Sequence, residues 1–275
     1  MHAADAPPRA PLALRLAVVF TGALAVWFLV RWLFDLVFDA ELTLAARFFN
    51  AVLTTALAVA LVVLARRHLD RRPWAGLGLQ GPRAALRPFL VGAAAFLLPS
   101  ALGLTLAVLT GWVTLDPQVS FAQILGWAGL LIVLVLLYEA LPEELIFRGH
   151  LLRNLMTGMA PWLAAVVQGM LFAAFGSVLW VASEGWGVLA ERGVMFLGVG
   201  IVLGLLRIMT GSVWTCVGFH VAFQTVAQNL LSERFSVDNE TGLLLSSVVV
   251  AFVFATTITG WFHRGQVDWS RPRPE

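Results

Sequence analysis

The chain has 275 residues, of which 60% are hydrophobic and only 12% charged, and its mean hydropathy is +0.86. No soluble arrangement of core and surface hides that much apolar side chain, so lipid is the solvent for most of it. The formal charge of +2 and the pI near 9.4 would point a soluble protein toward nucleic acid. Here the basic residues are all arginines standing at the ends of apolar runs, which makes them topology signals and excludes a nucleic-acid partner. The single Cys216 sits inside an apolar run, so no disulfide framework exists within one chain.

The first apolar run, near 14–34, follows Arg9 and Arg15 and contains Ala23-Leu24-Ala25, which mimics a secretory signal with its cleavage site. The run continues through Val30 to Arg31, beyond the usual length of a signal core, and reads as an uncleaved helix. Further runs fall near 48–65, 89–110, 121–141, 161–181, 193–209, 212–231 and 243–262. Each is close to the ~20 residues that a helix needs to cross a bilayer, and no alternating pattern of barrel strands recurs. The expectation is an all-α polytopic membrane protein with about eight transmembrane helices in one bundle. It comprises a cytoplasmic tail over 1–12, a helical domain over 13–263 and a second cytoplasmic tail over 264–275.

Charge sets the orientation independently. With an even number of spans, Arg31, Arg47, Arg192 and Arg234 fall on one side, and the remaining fourteen of the eighteen arginines share the other side with both termini. That bias places both termini in the cytoplasm, in the cell (inner) membrane. The segment 66–88, beginning RRHLDRRPWAGLG, is the longest polar connection and reads as a basic anchor at the membrane surface. Gly200 and Gly204, with Gly198 beside them, form a small-xxx-small pattern of close helix packing. The Pro-containing tails before Leu12 and after Trp269 are predicted to be disordered.

A charge inside a span costs about 2.5–3.5 kcal/mol on insertion scales, so each requires an explanation. The run Tyr138-Glu139-Ala140-Leu141-Pro142-Glu143-Glu144-Leu145-Ile146-Phe147-Arg148-Gly149 puts three carboxylates and an arginine directly onto a strongly apolar helix. Pro142 lacks an amide hydrogen and disfavours helix at Leu141, which predicts a kink or a restart there with Glu143 and Glu144 in a new first turn. Glu144 and Arg148 are four apart with the acid first, the favourable order for a helical ion pair. Glu143 is rotated about 100 degrees away and is left to act as a general base toward water.

Farther on, Cys216, His220 and Gln224 fall on one helical face. A histidine and a glutamine one turn apart in hydrocarbon are suited to orienting a carbonyl or donating to an oxyanion. Cys216 reads as a small buried hydrophobe, and His150 as a residue at the cytoplasmic interface.

Glu143-Glu144-x-x-x-Arg148, Phe172-x-x-x-Gly176 and His220-x-x-x-Gln224 together resemble the CPBP family of intramembrane proteases, which includes the type II CAAX prenyl proteases and relatives linked to bacteriocin immunity. The resemblance covers roughly 120–231. It implies an intramembrane endopeptidase acting on a membrane-associated peptide or protein, with Glu143 activating water, Glu144 and Arg148 holding the site together, and His220 stabilising the oxyanion. Two positions depart from the family pattern. Gly176 stands where a histidine belongs, and Gln224 stands where the pattern has asparagine or aspartate. A divalent metal is possible by the resemblance, but without that histidine its ligand set is incomplete. The alternatives are a catalytically impaired pseudoprotease acting as a membrane binding or immunity protein, and a secondary transporter with a proton path through the buried acids.

Overall fold

A computed structural model describes residues 8–39, 41 and 43–275, with the side chain of Glu191 left aside. The protein is an all-α polytopic membrane protein. Among the described residues seven helical runs are long and apolar enough to cross a bilayer: Leu12–Phe38, Leu44–Asp70, Trp74–Leu109, Phe121–Leu155, Pro161–Glu184, Arg192–Thr210 and Glu240–Phe262. The run expected at 212–231 does form a helix, α9 (Val213–Leu230), but is not among the seven. Thr215, His220, Gln224, Thr225, Gln228 and Asn229 dilute its apolar character.

Two compact units divide the chain. One holds the described part of Met1–Leu79 with Leu141–Gly204 and Asp268–Glu275, and the other holds Gln80–Ala140 and Leu205–Val267.

In the first unit, α1 (Leu12–Phe38) packs along α2 (Leu44–Ala65), and Val19, Ala23, Ala51 and Ala58 are buried. Thr43 caps α2 by accepting a hydrogen bond from the Ala46 amide at 3.2 Å. A π-turn, Arg66–Asp70, prolongs α2, and a 3-10 turn follows at Trp74–Leu77. Much of the expected basic connection is therefore helical, and Asp70 within it gives Arg66 an internal partner. The Asp70 carboxylate is fully buried and accepts from Arg66 Nη1 at 2.9 Å and Asn154 Nδ2 at 3.2 Å, with His150 Nε2 at 3.2 Å and Arg15 Nη1 at 3.7 Å. Arg15 also donates to Asn154. His150 is thus a buried network residue, not an interfacial one as its sequence position suggests.

The C-terminal residues correct the expectation of disorder after Trp269. The Arg273 amide donates to the Met156 carbonyl at 2.7 Å, and Arg153 Nη1 donates to the Arg273 carbonyl at 2.7 Å. The Glu275 carboxylate accepts from Arg9 Nη2 at 2.9 Å and Arg66 Nη1 at 3.0 Å. Burial alone would raise the Glu275 carboxyl, but the Arg66 hydrogen bond and the charges of Arg66, Arg153 and Arg9 hold it below the usual glutamate range. Ion pairing supplies the ordering that the apolar pattern did not reveal.

In the second unit, α3 (Pro82–Leu109) crosses α9 with backbones in contact. A Cβ added at Gly92 would lie 1.8 Å from the Thr215 carbonyl oxygen, and one added at Gly218 would lie 2.0 Å from that of Phe89. Phe96, Phe219, Phe223 and Phe252 stack beside this crossing with ring centroids 5.3–5.9 Å apart. Helix α11 (Val250–Phe262), reached through α10 (Glu240–Leu244) and a π-turn at Leu245–Val249, also packs on α3. A two-stranded antiparallel ribbon pairs β1 (Leu115–Pro117) with β2 (Phe235–Val237). Next to it, the Asp238 carboxylate accepts from the Thr114 amide at 2.7 Å and its hydroxyl at 2.8 Å, and both bonds hold the acid below its usual range.

Removing one partner from a buried ion network leaves an uncompensated charge, which typically costs about 3–5 kcal/mol. Asp70→Ala, which strips the shared acceptor from Arg66, Asn154 and His150, is expected to lower the thermal unfolding midpoint of the detergent-solubilised protein by several degrees. An unchanged midpoint would mean that the network contributes nothing to the first unit.

Candidate active site

The residues singled out around Pro142 lie on one helical run whose hydrogen-bond ladder changes register twice. After α4 (Phe121–Val135) comes a π-turn at Leu136–Ala140, then α5 (Leu141–Glu144), a second π stretch at Leu145–Leu151 and α6 (Leu152–Leu155). The run Phe121–Leu155 is not interrupted at Pro142, so the expected restart with a new free N-terminus does not occur. The wider π ladder accommodates the missing proline amide, and such π-bulges recur at functional sites. The division between the two units falls after Ala140, inside this run.

In the first unit, Glu144 and Arg148 are both completely buried and paired, with Arg148 Nη1 donating to Glu144 Oε1 at 2.8 Å. The other guanidinium nitrogen, Nη2, donates to the carbonyls of Val199 and Gly200 on α8 (Val188–Thr210), each at 3.3 Å. The guanidinium carbon stands 4.4 Å from the Phe172 ring centroid on α7 (Pro161–Glu184). Phe147 meets Phe172 edge-on at 5.0 Å and Phe175 at 5.1 Å, and Trp27 closes the far side of Phe175 at 5.1 Å. Arg148 therefore joins three elements at once, and a lysine could not serve all these acceptors. Glu143, next to Glu144 but on another side of the helix, is only partly buried.

Helices α7 and α8 approach most closely where glycines face one another. A Cβ added at Gly200 would lie 2.9 Å from the Gly169 backbone, and one added at Gly204 would lie 3.2 Å from Ala165 Cβ, so the small-residue pattern on α8 is a packing device. Gly176, one turn beyond Phe172, has a similar explanation. Its added Cβ would stand 3.2 Å from two atoms of the Phe196 ring. Phe196 thus packs against the position where the family pattern carries histidine.

His220 and Gln224 belong to the second unit. His220 is buried and Gln224 partly so, while Cys216 is fully buried with its sulfur 4.0 Å from the Ser212 carbonyl oxygen. Gln228 prolongs the line of Cys216, His220 and Gln224 at the same four-residue spacing. This helix packs against the π-turn Leu136–Ala140, where Glu139 accepts a hydrogen bond from Gln228 Nε2 at 3.2 Å and interacts electrostatically with His220. Its Oε2 atom is buried without a hydrogen-bond partner among the described residues. Glu139 was visible in sequence as one of three carboxylates. Its partner Gln228, two turns beyond His220, would have marked it.

Among the described residues no group of three or more His, Cys, Asp and Glu side chains is placed to hold a metal ion. With glycine at 176, the family positions supply too few donors to fit one.

Fold and site define a multi-pass membrane protein with an acid pair and its arginine built into a spanning helix. Residues 125–226 match the family described as Type II CAAX prenyl endopeptidase Rce1-like, consistent with the resemblance to the CPBP and CAAX proteases. The matched segment contains Glu143, Glu144, Arg148, Phe172, Gly176, His220 and Gln224. No curated protein matches the chain.

Gly176→His drives a side chain against Phe196 and is expected to lower stability by about 1–3 kcal/mol, the usual range for overpacking. Adding Phe196→Ala is expected to return part of that loss, read as thermal midpoints of the three variants. Equal midpoints for wild type and Gly176→His would show that the ring does not restrict the position.

Proposed function

We propose that this protein is a glutamate-dependent intramembrane endopeptidase that hydrolyses a peptide bond in a membrane-associated substrate. The observation that carries the reading is the asymmetry of the acid pair within the matched segment. Glu144 is buried and neutralised by Arg148, whereas Glu143 beside it is partly exposed on the same helix.

In this reading Glu143 takes a proton from a water molecule as its oxygen attacks the scissile carbonyl. The resulting oxyanion accepts hydrogen bonds from His220 and Gln224. Glu143 then returns the proton to the leaving amine as the carbon–nitrogen bond breaks. Glu139, which interacts electrostatically with His220, serves in this reading as a positioning residue for the imidazole. With α9 counted as an eighth crossing, the arginine bias supports placing both termini on the cytoplasmic side of the cell (inner) membrane.

A second reading, a membrane binding protein that no longer cleaves, is favoured by one observation, the Phe196 ring packed over Gly176. Loss of a catalytic donor typically costs about 10²–10³ in rate, which would leave such a protein binding without useful turnover.

Glu143→Gln keeps the size of the side chain and removes the base. It is expected to abolish cleavage while leaving membrane insertion intact, measured as new peptide termini in membranes of cells expressing wild type or variant. Identical sets of termini in the two would contradict the base assignment, and an absence of new termini even with wild type would favour the binding reading.

A further inference from the structure

The densest basic surface of the first unit is not part of the acid pair and has no role in the proposed hydrolysis. At the end of the second membrane run, a cavity of about 350 Å³ is lined by Arg66, Arg67, Arg71, Arg72, Trp74 and Val63. Four guanidinium groups on so short a segment repel one another, and the network around them neutralises only some. Arg66 pairs with Asp70 and Glu275, and Arg72 Nε donates to the Glu275 carbonyl oxygen. Arg67 and Arg71 are exposed and have no carboxylate partner among the described residues.

One of the lining residues, Arg71, has a strained backbone. Arg71 has φ 52, in the left-handed region that glycine normally fills at a helix end, and its amide donates to the Arg66 carbonyl. A residue with a side chain is disfavoured in that conformation, and such strain persists where the surroundings require it. Its effect is to fold Arg71 and Arg72 back beside Arg66 and Arg67 instead of letting the chain run on.

The remaining lining, Val63, Pro73 and Trp74, is apolar, and Leu64 lies next to Val63. Val63 and Leu64 on the last turn of α2 are exposed on a membrane-spanning helix, and Trp74 has the amphipathic ring that favours the headgroup level. A ligand that fits carries a negative charge at one end and hydrocarbon at the other, because the arginines and the exposed aliphatic turn adjoin. Basic pockets at the ends of spanning helices bind anionic headgroups on this principle.

We propose that this cavity is a binding site for the phosphate headgroup of an anionic phospholipid, with Arg67 and Arg71 as its principal contacts and the acyl chains lying along Val63 and Leu64. The site is independent of the peptidase reading and would be present equally in a protein that does not cleave.

The test measures thermal unfolding of the full chain in a neutral detergent while dioctanoyl phosphatidylglycerol, dioctanoyl phosphatidylcholine or inorganic phosphate is titrated in. Phosphatidylglycerol is expected to raise the midpoint saturably, phosphatidylcholine to have little effect, and inorganic phosphate to give no comparable shift. Arg67→Gln/Arg71→Gln is expected to weaken the phosphatidylglycerol response roughly tenfold or more, given the contribution of each arginine near an anionic surface. Arg83→Gln/Arg87→Gln, which removes the same charge outside the cavity, is expected to retain it. Arg71→Gly places at 71 the residue its φ prefers, so folding is not in question, and is expected to weaken the response several-fold. Equal stabilisation by both lipids, an undiminished response in Arg71→Gly, or a full shift with inorganic phosphate would each overturn the proposal.

Discussion

A guanidinium and a carboxylate buried together among apolar helices, Arg148 and Glu144, are the interaction on which the candidate site depends. Separately, either charge would be untenable in that surrounding, and together they still need further hydrogen bonds to offset desolvation. The Val199 and Gly200 carbonyls supply them, and Phe172 supplies a ring face. Gly200 must be glycine for its helix to come that close to α7, so the small-residue packing and the ion pair are parts of one construction. Glu143 is defined by contrast, since it shares a helix with this pair but not its burial.

How much of this was legible in the sequence followed from how local the interactions are. The Glu144 and Arg148 pair was readable because four-residue spacing on a helix is a local property. The all-helical membrane fold was readable because composition left no other solvent and backbone hydrogen bonds left no other geometry. The network of Asp70, Arg15, His150 and Asn154 was not, because its members come from three separate segments and each alone looks like an interfacial polar residue. The same is true of the tail, where Glu275 meets Arg9 and Arg66 across 266 and 209 residues of sequence. Pro142 misled in the other direction. Taken alone it predicts a break, yet the π-turns on either side of α5 keep the helix continuous.

The departures from the family pattern have different physical meanings. At Gly176 the neighbouring Phe196 ring shows that the missing imidazole is not merely absent, since its space is restricted by a packed aromatic. At Gln224 the amide chemistry survives one methylene farther out. Glu139 and Gln228 have no counterpart in the motifs that carry the resemblance, yet they place a partly buried carboxylate in electrostatic reach of His220. With Glu143 partly exposed and Glu139 in electrostatic reach of His220, the chain holds side chains capable of proton transfer, which is why the peptidase reading is preferred over simple binding.

The measurement that bears most directly on the central claim is a double-mutant cycle on peptide-bond hydrolysis with Glu143→Gln, His220→Ala and the two combined. Groups that serve one transition state lose activity together, so each single variant should fall to near background and the double variant should fall no further. Full activity in either single variant, or losses that multiply independently, would contradict the assignment of Glu143 and His220 to the same chemical step.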